Sequence, residues 1–349
     1  MKAIQFLGMT AFMAAMLTGC SNDSELAHSN FPDDNIIRVT AGVNGAVTRA
    51  ETLGTELNSD FSLTVINKAP LNEGEHSNKY TYGNRIFKKT GTEWICSDIL
   101  LWQDAETKVD VAALAPAIDN TTFRDSYDFW DEKITTMEYS ITADQTTQIP
   151  KNDLLYYYKS DLVPGTELKD GKLDIQFNHA FSMIDIIVTL GTEYSNKENP
   201  INKVIVGGSK LKATVDVANS KGKGVAYAST PGETSTPGET STTGENPETD
   251  IITTPGTFTK ATTDEKKSIA EYSCILIPQT IEANKFKVTL KTSSKTYVWT
   301  SPSAITLETG HRYTLNLTMG KDKLTAQKGN ISAGSWTVGT APDSTLGTK

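Results

Sequence analysis

The stretch KLDIQFNHAFSMIDIIVTL, residues 172–190, decides how this chain is read. Leu173, Ile175 and Phe177 alternate with Asp174, Gln176 and Asn178. That period of two lays one face of a strand on a core and turns the other to water. From Phe181 to Leu190 the apolar residues run almost unbroken, which predicts a strand covered on both faces.

The same texture extends outward in both directions. Toward the N-terminus, Ile36–Val43 is β-branched and partly alternating, and stops at the turn-forming pair Asn44-Gly45. Between these ends, strands are expected at 61–66, 86–89, 94–96, 109–115 and 154–159. Toward the C-terminus they are expected at 201–207, 210–217, 272–278, 285–291, 297–299 and 311–319, with Gly207-Gly208 separating the first two. Most are short and divided by Thr, Asn, Gly and Asp, the spacing of an all-β sandwich. Helix evidence is thin; Asp125 to Lys133 is expected to form a turn or two. Ser-Thr-Pro-Gly-Glu-Thr occurs at 229–234 and 235–240, with a degenerate copy at 241–246. Pro, Gly and Thr without apolar residues cannot offset the entropy of ordering, so 221–256 reads as a disordered loop.

The 349 residues leave room for two domains, drawn at 36–168 and 169–349 behind a flexible tether at 20–35. Thirty-three basic against 42 acidic residues give a net charge of −9, which argues against nucleic acid as a partner. Cys96 and Cys274 lie far apart and could pair in an oxidising compartment; two unpaired buried thiols is the preferred reading. His28, His76, His179 and His311 show no metal-binding spacing, and no residue is assigned to a metal or cofactor.

No grouping points to catalysis. The chain lacks a Gly-x-Ser-x-Gly elbow, a His-Glu-x-x-His pair, a phosphate loop and a dinucleotide fingerprint. His179, Asp185 and a serine are the residues of a conceivable triad, but His179 immediately precedes an apolar strand and reads instead as a hydrogen-bonded strand-edge residue. Trp94 and Trp299 read as core. The exposed aromatics Tyr127 and Trp130 are the residues on which a glycan-binding function would rest.

The N-terminus carries its own address. Lys2, an apolar run from Ala3 to Leu17 and small residues before Cys20 describe a secretory signal, shorter than the roughly 20 apolar residues of a membrane span. Leu17-Thr18-Gly19-Cys20 resembles the lipobox of bacterial lipoproteins. The resemblance implies removal of residues 1–19 and acylation of Cys20 by fatty acids such as palmitate, which anchor the chain in the outer membrane. Ser21 to Glu25 is polar and acidic, and resembles a surface-export signal.

Several short motifs, in order, resemble the Bacteroidales fimbrillin (Mfa-like) family. They are Asn152-Asp153-Leu154-Leu155-Tyr156-Tyr157, Ile175 to Ser182 with its Phe-x-His-Ala core, Leu276-Ile277-Pro278-Gln279, Gly310 to Leu317, and Ile331 to Trp336. The resemblance spans about residues 36–340. It implies two β-sandwich domains of the transthyretin-like or Greek-key type and a non-enzymatic structural, tip or accessory subunit of a fimbrium. Val47-Thr48-Arg49-Ala50 resembles the family's processing site, which implies a cut between Arg49 and Ala50. The strand then displaced is Ile36–Val43, with Ile36, Ile37, Val39, Ala41 and Val43 as its apolar residues. An extended strand from another subunit takes its place, restoring backbone pairing over an apolar floor. The C-terminal stretch from about Lys321 is the expected donor, although beyond Trp336 only Val338 and Leu346 are larger apolar residues. The partners implied are other fimbrial subunits in a homo- or heteropolymer, the outer membrane, and host or bacterial surface ligands. The rival to this reading is a surface lipoprotein that captures glycan for nutrient uptake. Asp343-Ser344-Thr345 also fits a short O-glycosylation motif.

Overall fold

The structure, a computed structural model, describes residues 30–44, 57–71, 78–118, 127–128, 133–134, 136–147, 152–195, 197–220, 222–229, 246–263 and 266–336. It is almost entirely β. A seven-stranded sheet runs, in spatial order, β1 (Arg38–Val43), β10 (Lys172–His179), β9 (Leu155–Leu162), β5 (Val109–Ala115), β2 (Phe61–Asn67), β3 (Tyr82–Thr90) and β4 (Glu93–Cys96). A five-stranded sheet holds β16 (Thr254–Thr259), β17 (Ile269–Leu276), β11 (Ser182–Leu190), β22 (His311–Met319) and β23 (Leu324–Ser335). A four-stranded sheet holds β15 (Thr249–Ile252), β12 (Ile201–Ser209), β19 (Lys287–Thr292) and β20 (Thr296–Thr300). Smaller ladders join β14 (Ala226–Ala228), β13 (Lys212–Val215) and β8 (Met137–Ser140), then β18 (Gln279–Ile281) with β21 (Ile305–Leu307), and β6 (Tyr127–Asp128) with β7 (Lys133–Ile134). The described helical pieces are α1 (Pro164–Glu167) and one 3₁₀ turn at Thr192–Tyr194.

The deciding stretch forms two strands of different character. β10 buries Leu173, Ile175 and Phe177 and leaves the alternate residues wetter. β11 is the centre of the five-stranded sheet, antiparallel to β17 and parallel to β22, and Met183, Ile184, Ile186, Val188 and Leu190 are all buried. Successive side chains from Ser182 to Ile186 are buried, so both faces of the strand are covered there, which matches its apolar run.

Two hydrophobic clusters fill the molecule. The larger gathers side chains from the five-, four- and three-stranded sheets, among them Ile186, Val206, Phe286, Leu315 and Met137. The smaller lies inside the seven-stranded sheet and is built on Phe61, Phe87, Trp102, Val111 and Phe177. Phe61 stacks on Phe87 at 5.3 Å between ring centres and meets Trp94 and Phe177 edge-on at 5.0 and 5.5 Å. Trp94 thus packs against a core as expected, and Trp299, Trp102 and Trp336 are buried too.

The chain passes between the clusters more than once. Met137 and Ile141 belong to the larger, while β10, beyond residue 168, belongs to the seven-stranded sheet. The division drawn from sequence at 168/169 falls between β9 and β10, which pair with each other.

Three sequence expectations are corrected. Asp125 to Lys133 was expected to turn helically, but its described residues Tyr127–Asp128 pair with Lys133–Ile134 as a two-stranded ladder. The expected disordered loop 221–256 contains β14 and β15 and the start of β16; the repeats between 230 and 245 lie outside the described residues. β14 pairs with β13, which buries Ala226, and β15 pairs with β12, which buries Ile251. Tertiary pairing supplies what these short polar segments lack locally. Lastly, Cys96 and Cys274 are unpaired, but only Cys274 is buried; Cys96 is partly exposed on β4.

Candidate functional site: an edge strand over an apolar groove

β1 occupies one edge of the seven-stranded sheet and β4 the other. β1 lies parallel to β10 in continuous register, from Arg38 opposite Lys172 to Val43 opposite Phe177. Its alternation follows the sheet. Ile37 and Val39 are buried, Ala41 and Val43 are partly buried against the same cluster, and Arg38 and Thr40 face water. Ile36 sits half-buried just ahead of the strand and forms an isolated bridge to Leu101. Thus four of the five residues expected to fill the groove point into one core, and Ile36 braces the entrance.

The partner strand is unusual in what else it pairs with. Only Asn178 and His179 of β10 pair with β9, opposite Tyr156 and Leu155. From Lys172 to Phe177 the ladder partner of β10 is β1. β1 is therefore peripheral in the sheet yet completes the pairing of a strand that carries three core side chains.

The other flank of β1 is open over part of its length. The sheet curls until the chain ahead of β1 meets the segment after β4: Ile37 N–H donates to Leu100 O at 2.9 Å, and Trp102 N–H to Asn35 O at 2.8 Å. Farther along, β1 and β4 diverge around a cavity of about 430 Å³ lined by Val39, Ala41, Phe87, Trp94, Ile95 and Cys96 among others. Ile95 and Ile99 stand exposed beside it, at 47% and 75% of full accessibility.

Polar contacts fasten the outer face of β1. Arg38 donates both guanidinium nitrogens to Asp34, at 2.8 and 2.5 Å. The Arg38 hydrogen bond, helped by the Ile36 N–H, holds the Asp34 carboxyl down to about 2. Thr40 Oγ1 donates to Asp174 Oδ1 at 3.2 Å, and Lys169 Nζ reaches Oδ2 of the same carboxylate at 2.6 Å. Burial alone pushes Asp174 up, but Lys169, Gln176 and Thr40 together outweigh it and leave the carboxyl below its ordinary value. At the far end Asn44 N–H donates to Phe177 O at 2.7 Å, and Asn44 Nδ2 lies 3.4 Å from both Gln176 O and Asn178 Oδ1.

The remaining sequence-picked residues are not gathered here. Cys20, Arg49 and Ala50 lie outside the described residues, as does Trp130; Tyr127 lies in β6. His179 is hydrogen-bonded as expected, but to Asp153, with Nδ1 2.9 Å from Oδ1, and it is buried. Asp185 instead accepts from Arg312 Nε at 2.6 Å, so His179 and Asp185 belong to separate pairs. Cys274 is wholly buried, and burial, with Asp185 nearby, pushes its thiol far up. No cluster of three or more metal-ligating side chains occurs among the described residues. The expected donor stretch is also engaged: β23 pairs antiparallel with β22 as an edge of the five-stranded sheet, and Trp336 just beyond it is buried.

Sequence reasoning missed the face-to-face stack of Trp336 on His179, 3.7 Å between ring centres at 1°. The two residues fall in separate motifs of the family resemblance, and nothing local in either announces that they touch.

No curated protein sequence matches this chain. Solved structures do match its fold. A candidate cell adhesion protein from Bacteroides ovatus aligns over 87% of this chain and 99% of its own, at 20% identity and a TM-score of 0.58. A fimbrial protein from Bacteroides vulgatus covers 86% and 99% at 16% identity and TM-score 0.54. A candidate cell adhesion protein from Bacteroides uniformis covers 88% and 100% at 15% identity and TM-score 0.53. At these identities the likeness is one of fold. The fimbrillin-like family profile, however, matches residues 48–336, most of the sequence, and this chain belongs to the fimbrillin-like family.

Proposed function

We propose that this chain is a non-enzymatic fimbrial subunit, held at the outer membrane by acylated Cys20 until a cut after Arg49 frees it. The cut leaves β1 attached by its ladder to β10, by its side chains and by the backbone bonds of Asn35 and Ile37 to the segment after β4. Another subunit's strand then displaces β1 and joins the two copies, and the exposed loops of the assembled filament serve adhesion. The observation that carries this reading is the pairing of β10: from Lys172 to Phe177 it has β1 beside it, at the outer edge of the sheet. Removing β1 uncovers backbone N–H and C=O groups over an apolar floor. A foreign extended strand restores both the hydrogen bonds and the burial.

This chain acts first as an acceptor. Its own stretch Leu324–Ser335 is paired in place and must be peeled from β22 before it can be donated.

The test compares chains beginning at Ser21 and at Ala50. The longer should stay monomeric. The shorter should form ladders on gels run unheated and with reductant present, and should stop doing so when a synthetic Ile36–Val43 peptide is added in excess. Monomeric behaviour of both would overturn strand exchange. Separately, Cys20→Ala should move the protein out of the membrane fraction; unchanged partitioning would overturn the anchor.

A further inference from the structure

We infer that Trp336, stacked on His179, is the peg that keeps β10 in place when the position of β1 is empty. A subunit then holds a foreign strand more tightly while its own C-terminal strand is docked than after that strand has left. The inference rests on the strand-exchange reading above and adds an internal coupling to it.

Once β1 has gone, little holds β10 to the rest of the sheet. Two residue pairs, Asn178 with Tyr156 and His179 with Leu155, still tie it to β9. Leu173, Ile175 and Phe177 still point into the core, but six residues have lost the ladder of β1. A segment with so little pairing belongs to the low-stability end of a fold. Its usefulness as a template depends on the one end that is still anchored.

That end is His179, held from more than one side. Its Nδ1 lies 2.9 Å from Asp153 Oδ1, on the chain leading into β9. One face of its ring lies against Trp336, at 3.7 Å and 1°. Its carbonyl oxygen sits 3.4 Å from where a Cβ on Gly310 would stand, and Gly310 has φ of +67° in the turn into β22. His179 is 4% exposed and Trp336 2%, and neither His179 Nε2 nor Trp336 Nε1 has a hydrogen-bond partner among the described residues. Two buried rings with idle N–H or N groups contribute through contact and shape, which a stacked pair supplies.

Trp336 owes its position to β23. Ser335 pairs with His311 at the end of the β22–β23 ladder, and the next residue, Trp336, donates its N–H to Gly310 O at 2.7 Å. Peeling β23 from β22 to donate it elsewhere carries Trp336 away from His179. The acceptor edge and the C-terminal strand, in different sheets, thus touch through this ring contact, beside the turn where Gly310 N–H donates to Phe181 O at 3.0 Å. Coupling of this kind is reciprocal: a strand bound beside β10 strengthens the docking of β23, and loss of β23 weakens strand capture.

The experiment uses the chain from Ser21 to Lys349 cut after Arg49, with a fluorescent Ile36–Val43 peptide as the probe. Trp336→Ala should weaken peptide capture about tenfold, whereas Trp336→Phe, which keeps a stacked ring, should stay within about threefold of the native chain. Circular dichroism of the uncut variants shows whether either has failed to fold. Hydrogen exchange provides the arm that needs no mutation and no peptide. Removing the β1 fragment from the native chain should speed exchange at Leu324–Ser335, and adding peptide should reverse it. Unchanged exchange there, or native capture by Trp336→Ala, overturns the coupling. A native cut chain that ignores the peptide while its β23 amides still respond to loss of β1 overturns strand exchange and leaves the coupling standing.

Discussion

Single residues set how firmly β1 is held. Asp34 and Asp174 both bind a proton less readily in the fold than their ordinary value of 3.8, through Arg38 in one case and, against burial, Lys169, Gln176 and Thr40 in the other. A carboxyl lowered by folding stabilises the fold above its unfolded value, and that contribution fades as pH falls through the folded one. The β1 amides should therefore lose protection, measured against the unfolded chain at the same pH, between about pH 4 and pH 2. In Asp174→Asn the part due to Asp174 should be gone already at neutral pH; a flat profile in the native chain would contradict this account. The two thiols give an equally local check. Cys96 is partly exposed beside the groove, whereas the Cys274 thiol is sealed in the core and pushed up by burial. An alkylating reagent should label Cys96 in the folded chain and reach Cys274 only after unfolding, because the thiolate is the reactive form.

At the scale of elements, burial predicts which strands matter for stability. Phe177 is fully buried and meets Phe61 edge-on, so Phe177→Ala should cost about 3–5 kcal/mol in denaturant unfolding. Val298, 54% exposed on β20, should tolerate Ala within about 0.5 kcal/mol. The strands were legible in sequence where they carry their own signal. The alternation of residues 172–177 and the apolar run of 181–190 name β10 and β11 almost to the residue. β14, β18 and β21 were not, since each has three residues and is a strand only because a partner pairs with it. Within the site, the inward face of β1 could be read from Ile37, Val39, Ala41 and Val43. Its parallel pairing with β10 could not: Thr40 and Asp174 lie 134 positions apart, and no turn joins them to fix a register. The His179–Trp336 stack was hidden for the same reason.

The whole molecule does not come apart cleanly between β9 and β10. A cut at 168/169 would separate β9 from β10, and leave Lys172–His179 with neither β1 nor β9 beside it. It would also take β8 from β13, and remove Met137, Ile141 and Leu154 from the larger core, where each is at most 3% exposed. The fragment 169–349 would then expose β10 and one edge of the three-stranded sheet while missing six buried residues from its main core, Ala112, Leu114 and Ile118 besides those three. Losses of a few kcal/mol for each large buried side chain add up to the whole stability of an ordinary domain. We expect this fragment alone to lack the dispersed amide spectrum and cooperative thermal transition of the full chain. A fragment beginning at Thr136, which restores β8, Ile141, Leu154 and β9, should recover both. A sharp, native-like transition in 169–349 alone would mean that the crossing strands are ornaments on an independent domain, and that peeling β1 or β23 in one sheet is not felt in the other.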